Sequence, residues 1–149
     1  IVRDLNAVQQ VLKELEERSE APHDKDALVW QGYVAVTLHR FYTGLESIFE
    51  RICRACEGTL PTGADTHQAL LRDMTLELPT VRPAVLRDET AAALRPLLKF
   101  RHFVRHAYAV SWDDRRLREV QERARVAWPL VEKDLADFAA FLDRAIDEG

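Results

Sequence analysis

Residues 38–56, LHRFYTGLESIFERICRAC, decide the fold class, because apolar side chains recur along them at a helical spacing. Separations of three and four residues place these side chains on one face of an amphipathic helix. The members of this stripe are Leu38, Phe41, Tyr42, Leu45, Ile48, Phe49, Ile52, Cys53 and Cys56. The stripe predicts one long helix over residues 28–57, with this face in the core or in a subunit interface.

The segments on either side predict two shorter helices. Before the long helix, a first helix is predicted by the spacing of Leu5, Val8, Leu12 and Leu15. After it, residues 58–64 (GTLPTGA) predict a loop, because glycine and proline interrupt any regular pattern there. Asp65 and Gln68 then predict a capping box that opens a short third helix. The inward side chains of this helix are Leu70, Leu71 and Met74.

The rest of the chain predicts a connection and two more helices. Residues 75–87 contain prolines and lack a helical period, which favours a long connection. A fourth helix is predicted from Asp88, as its cap, to Val110, kinked or restarted at Pro96. An aspartate of the Trp112-Asp113-Asp114 junction caps a last helix that is bent at Pro129. The apolar face of this helix is Val131, Leu135, Phe138, Leu142 and Ile146.

No alternating strand pattern and no internal repeat accompany these helices. The sequence therefore predicts an all-α bundle of four to five helices in a single domain, residues 1–149. A hydrophobic fraction of 47% is too high for a disordered chain, and the apolar runs are too short to span a bilayer. Two cysteines cannot form a disulfide framework, and no leader pattern opens the sequence, so a cytoplasmic protein is predicted.

The net charge of −4 argues against a general nucleic-acid-binding surface, but it leaves room for a local basic patch. Such a patch lies in residues 94–108, LRPLLKFRHFVRHAY. At about 100° per residue, one arc of the predicted helix carries the basic side chains Arg95, Lys99, His102 and His106.

Arg101 falls instead in the opposite, apolar arc, where an unpaired guanidinium is costly. Arg101 therefore pairs with a buried carboxylate, or its arc faces a subunit interface or an anionic ligand. The last two alternatives become one if a site is built between two protomers. On a straight helix, Arg101 and His106 point about 140° apart. To act together they need a helix end near His106, the reach of the arginine side chain, or a symmetry mate.

The string RHFVRHAY, residues 101–108, resembles the Arg-x(4-6)-His motif of the HEPN superfamily through Arg101, His106 and Tyr108. It is most similar to the HepT-like branch, the ribonuclease toxins of bacterial toxin–antitoxin pairs. The preceding helices, with LHRFYTGLESIFERI and THQALLRDM, occur in the order that this branch shows. The residue after the motif arginine is commonly Asn or Asp in the family and is His102 here.

The resemblance implies a metal-independent endoribonuclease that acts as a homodimer, with both motif copies facing a shared cleft. It implies that Arg101 and His106 are the catalytic pair. It also implies a partner, a nucleotidyltransferase antitoxin that can modify Tyr108 with AMP. If this function holds, we expect Arg95, Lys99, His102 and Arg105 to position substrate phosphates; otherwise they form a solvated face.

The residue types suit this chemistry. Cleavage of RNA without a metal takes a proton from the 2′-hydroxyl and gives one to the leaving 5′-oxygen. Histidine performs either transfer near neutral pH, and the planar fork of arginine fits phosphate oxygens. Two copies of the motif across a dimer axis would supply one histidine for each proton.

No metal or other cofactor is predicted. No glutamate lies between His102 and His106, and the charges around them are positive. Cys53 and Cys56 lack a second cysteine pair and are predicted to be core or half-exposed residues. Two other functions stay open: a non-catalytic module of the same fold that binds nucleotide or partners a nucleotidyltransferase, and a purely structural bundle in which Arg101 forms a satisfied core ion pair.

Overall fold

The structure is a computed structural model, which describes residues 1–18, 27–106 and 112–147. Within these ranges it has five helices and no strands, which confirms the predicted all-α bundle. The helices are α1 (Val2–Glu17), α2 (Ala27–Cys56), α3 (Thr66–Asp73), α4 (Asp88–His106) and α5 (Asp114–Asp147). None of the described helices is long and apolar enough to cross a membrane.

The central element is α2, which contacts each of the other helices. Its predicted stripe forms the middle of the core, and Phe41, Leu45 and Phe49 are fully buried. Phe41 packs edge-on against Trp128 of α5, with ring centroids 6.1 Å apart. At Gly44 the helices α1 and α2 approach closely, because a Cβ there would lie 2.8 Å from Val8 Cγ2.

Two ionic clusters, each centred on one buried charged side chain, fix the connection between α3 and α4. Arg82, whose side chain is completely buried, donates to Glu57 Oε1 and to the carbonyl oxygens of Asp73 and Leu76. Asp134 of α5 accepts hydrogen bonds from Arg87 and from the Thr90 hydroxyl at the start of α4. These clusters set the position of α4 relative to α2 and α5.

The helix boundaries follow the predictions closely, except at the N-terminal caps of α3 and α4. Asp113 Oδ1 accepts a hydrogen bond from the backbone N–H of Arg115, as predicted for an aspartate cap of α5. Asp65 precedes α3, but its side chain makes no capping hydrogen bond, so the predicted capping box is wrong. Asp88 lies inside the first turn of α4 rather than before it.

The predictions for the C-terminal ends of α4 and α5 have different outcomes. Residues 107–110, where the fourth helix was predicted to continue, lie outside the described residues. Val131, Leu135 and Phe138 are buried as predicted, whereas Ile146 is 76% exposed. Ile146 lies in the last turn of α5. None of the other described helices buries its side chain.

Candidate functional site

Arg101 lies on the buried face of α4, as its position in the apolar arc predicts. The residue is 7% exposed, and its Nε lies 2.9 Å from Glu46 Oε2 on α2. This is an ion pair by distance, although the N–H is not aligned well enough for a hydrogen bond. Of the alternatives that the sequence left open, the structure therefore shows pairing with a buried carboxylate.

Glu46 also binds a histidine from a third helix. Its Oε1 lies 2.8 Å from Nδ1 of His67 on α3, while its Oε2 faces Arg101. Burial raises the pKa of the Glu46 carboxyl above its usual range, and the positive charges of Arg101 and His67 act against this rise. One carboxylate thus joins side chains of α2, α3 and α4, and we call Glu46, His67 and Arg101 the Glu46 triad.

Sequence reasoning missed two members of this triad, Glu46 and His67. A signal for Glu46 was present, because it lies four residues after Tyr42 and three before Phe49, inside the apolar stripe of α2. An acid in the apolar arc of one helix and an arginine in that of another are expected to pair. His67 carries no such signal, because it lies at the start of a short helix.

The triad borders a cavity of about 720 Å³ between α3 and α4. Arg101 and His67 both line it, and so do three of the residues predicted to position substrate phosphates, Arg95, Lys99 and His102. Arg72 of α3 adds another cation, and Asp65 is the acidic side chain in the lining. A cavity with this lining favours an anionic ligand.

The basic side chains of α4 that the structure describes are exposed. Arg95, Lys99 and His102 belong to the predicted basic arc, and Arg105 is exposed as well. Arg105 is absent from the cavity lining and instead lies near His39 of α2. Burial lowers the pKa of His39, and the charges of Arg101 and Arg105 lower it further. A neutral imidazole on α2 therefore lies beside the cationic end of α4.

The structure describes less of the second half of the predicted motif, His106 and Tyr108, than of Arg101. His106 is the last residue of α4, and its side chain lies outside the described part of the chain. Tyr108, the predicted modification site, also lies outside the described residues. The pairing of Arg101 with His106 therefore stays a prediction.

The described residues contain no group of histidine, cysteine or carboxylate side chains that could hold a metal ion. Cys53 is buried and Cys56 is half-buried. Burial raises the pKa of the Cys53 thiol to about 11, with the neighbouring Glu57 as the next cause. This thiol is therefore protonated and unreactive near neutral pH, as expected of a core residue.

The chain is similar to a known protein family. A family model described as "HepT-like protein" matches residues 33–142, a region that runs from the first third of α2 to near the end of α5. It therefore includes Glu46, His67 and Arg101 as well as the exposed basic side chains of α4. No curated protein and no solved structure matches the chain.

Proposed function

The chain belongs to the HepT-like family of the HEPN superfamily, and on that premise we propose that it is the toxin of a HEPN/nucleotidyltransferase toxin–antitoxin pair. We propose further that this single helical domain is a metal-independent endoribonuclease of the cytoplasm. Arg101 and His106 are the proposed catalytic residues, and the proposed cleft lies between two copies of the chain.

The observation that carries this proposal is the placement of Arg101. An arginine at an apolar helix position is held by Glu46 at the wall of a cavity that basic side chains line. There its guanidinium is available in a fixed orientation to stabilise the negative charge that develops on the phosphorus oxygens. The imidazole of His106, five residues further along α4, would accept the proton of the 2′-hydroxyl or donate one to the 5′-oxygen.

A homodimer is supported by apolar side chains of α2 that are exposed in the part of the chain that the structure describes. Leu28, Val29 and Val36 are 75%, 73% and 56% exposed, and their spacing places Val29 and Val36 on one side of the helix. Burial of such a surface in a second copy would bring two α4 helices toward a shared cleft. This arrangement would supply two copies of His106, one for each proton transfer.

The ion pair of Arg101 with Glu46 favours a second candidate function. A buried arginine neutralised by a carboxylate is what a purely structural role requires. In that case Arg101 would have no catalytic role, and the chain would be a structural bundle or a non-catalytic module that binds nucleotide or a nucleotidyltransferase partner. The two functions predict opposite outcomes in a cleavage assay.

The decisive assay is cleavage of RNA by the purified chain in the presence of a chelator. We expect cleavage by the wild type, and a loss of at least about 100-fold in Arg101→Lys and in His106→Ala. Arg101→Lys keeps the positive charge but loses the planar guanidinium. A loss of activity in this variant therefore cannot be attributed to a loss of charge. Arg125→Ala, which removes an exposed arginine of α5, is the control. Absence of cleavage by the wild type would favour the non-catalytic module.

The proposed partner is tested by co-expression with the neighbouring gene. A nucleotidyltransferase that modifies Tyr108 would add the mass of one AMP to the intact protein, and Tyr108→Phe would abolish the adduct. A neighbour that encodes no nucleotidyltransferase would contradict the toxin–antitoxin pairing without touching the nuclease proposal.

A further inference from the structure

We propose that the cavity between α3 and α4 binds a phosphodiester group of the RNA, and that His67, held by Glu46, contacts its phosphate oxygens beside Arg101. This proposal rests on the proposed ribonuclease function and assigns a further substrate-binding residue to it. The sequence motif does not include His67, which comes from a different helix.

The geometry of His67 fits a ligand contact. Its Nδ1 lies 2.8 Å from Glu46 Oε1, and the ring lines the cavity with 34% of the side chain exposed. A carboxylate beside Nδ1 fixes that nitrogen as the proton donor and orients the ring. Nε2, on the other edge of the ring, is the nitrogen that is left for a ligand, and it donates to a phosphate oxygen in the imidazolium form, in which both ring nitrogens carry a proton. Glu46 is only 5% exposed, so the carboxylate that orients the His67 ring is itself held inside the protein.

The charges around the cavity favour an anionic ligand such as a phosphate. Arg101 is compensated by Glu46, and Arg72 lies 3.3 Å from Asp73. Arg95 and Lys99, by contrast, have no carboxylate within ion-pair distance among the described residues. These two exposed cations add an attractive field at the mouth of a cavity whose wall holds a buried arginine.

A second cavity, with a mainly acidic set of charged side chains, shows that the basic lining is specific to the cavity between α3 and α4. It has a volume of about 340 Å³, lies between the α3–α4 connection and α5, and is lined by Asp88, Asp134 and Asp137 together with Arg87. Its acidic side chains would repel phosphate. The larger cavity is also in the size range of small-ligand sites, about 300–1,000 Å³, and the apolar side chains of Leu71 and Leu98 provide a surface for a base or ribose.

The test uses two substitutions that separate the two ring nitrogens. His67→Asn places an amide donor near the position of Nδ1, so the contact with Glu46 is kept and the ligand contact is lost. His67→Gln places an amide near the position of Nε2, so the ligand contact is kept and the contact with Glu46 is lost. Arg125→Ala on α5 is the control for the loss of one positive charge.

Binding is measured with a 2′-O-methyl oligoribonucleotide, which cannot be cleaved through its 2′ oxygen, and with inorganic phosphate. We expect His67→Asn to weaken oligonucleotide binding about ten-fold and His67→Gln to weaken it less. In the wild type, both ligands are expected to shift the His67 ring resonances in NMR spectra. Equal binding by His67→Asn and the wild type would overturn the proposal, and so would phosphate shifts at His102 without any at His67.

The design separates this proposal from the ribonuclease function. If the wild type cleaves RNA and His67→Asn binds and cleaves it equally well, the cavity site is wrong and the nuclease stands. If the wild type does not cleave but His67→Asn loses oligonucleotide binding, the site stands and the nuclease is wrong. A mononucleotide that binds as tightly as the oligonucleotide would contradict an RNA site and assign the cavity to a free nucleotide.

Discussion

Nε of Arg101 lies 2.9 Å from Oε2 of Glu46, and both side chains are more than nine-tenths buried. The two residues are 55 positions apart in the chain (101 minus 46) and come from different helices. The pair explains how a guanidinium is tolerated at an apolar position of α4. It also couples the stability of the bundle to the orientation of the proposed catalytic arginine.

We predict that Arg101→Met lowers the free energy of unfolding by about 3 kcal/mol at neutral pH, because it leaves a buried carboxylate without its arginine. Loss of Arg101 raises the pKa of Glu46 further, since the arginine charge lowers it in the wild type. The folded variant then holds a proton that the unfolded chain has released, so stability falls as pH rises between the two pKa values. The deficit relative to wild type is therefore expected to be larger at about pH 7 than at about pH 5.

Chemical denaturation at both pH values measures this effect. The double variant Glu46→Gln/Arg101→Met removes the titrating carboxyl, so its deficit is not expected to grow between about pH 5 and about pH 7. A deficit of Arg101→Met that does not change with pH would contradict the assignment of Glu46 as the partner that titrates.

The pKa of His39 provides a local probe of the cationic end of α4. Burial is the largest cause of its lowering from the ordinary 6.5, followed by the charges of Arg101 and Arg105. We predict that Arg105→Gln raises the pKa of His39 only part of the way back, because burial remains. NMR titration of the His39 ring measures this shift, and Lys99→Gln is the matched control. Equal shifts of the His39 pKa in both variants would indicate that the overall positive charge of α4, and not Arg105 in particular, lowers this pKa.

The helices of this protein could be predicted because each carries its own apolar period. The stripe of α2 set that helix to within one residue of the observed bounds, and the aspartate at the start of α5 caps it as expected. The error at Asp65 is of a different kind. Its spacing to Gln68 allows a capping box, but the backbone before α3 does not place the carboxylate near the free N–H groups.

The site was predictable only in part, because its geometry is tertiary. The helical wheel alone indicated that Arg101 faces inward and that Arg95, Lys99 and His102 face outward, and both hold. Which carboxylate Arg101 meets depends on how α2 packs against α4, and the contribution of His67 depends on where α3 lies. A pattern along one helix contains neither relationship.

We predict that the chain is a homodimer that uses the exposed apolar side of α2. Val36→Lys places a charge in that surface, where Val36 is 56% exposed, and is expected to shift the protein to a monomer in sedimentation experiments at micromolar concentration. Val126→Lys on α5 is the matched control, because Val126 is 54% exposed outside the proposed interface. A wild type that sediments as a monomer under these conditions would contradict the composite cleft.

The strongest test of how the α3–α4 connection is held is the conservative change Arg82→Lys. The Arg82 side chain is completely buried and donates both to Glu57 and to several backbone carbonyl oxygens, including that of Pro83. Lysine keeps the charge but cannot fill these positions with one ammonium group, so acceptors inside the protein lose their partners. We expect a loss of about 2–3 kcal/mol in the free energy of unfolding.

The comparison for Arg82→Lys is Arg54→Ala, which removes an exposed arginine that lies 3.6 Å from Glu50. Surface pairs of this kind contribute at most about 1 kcal/mol, so denaturation curves should separate the two variants clearly. Because the connection leads from α3 into α4, Arg82→Lys should also displace His67 relative to Arg101. Weaker binding of the 2′-O-methyl oligonucleotide is therefore expected even where the variant is fully folded. Unchanged stability and unchanged binding would show that the connection does not depend on the Arg82 cluster.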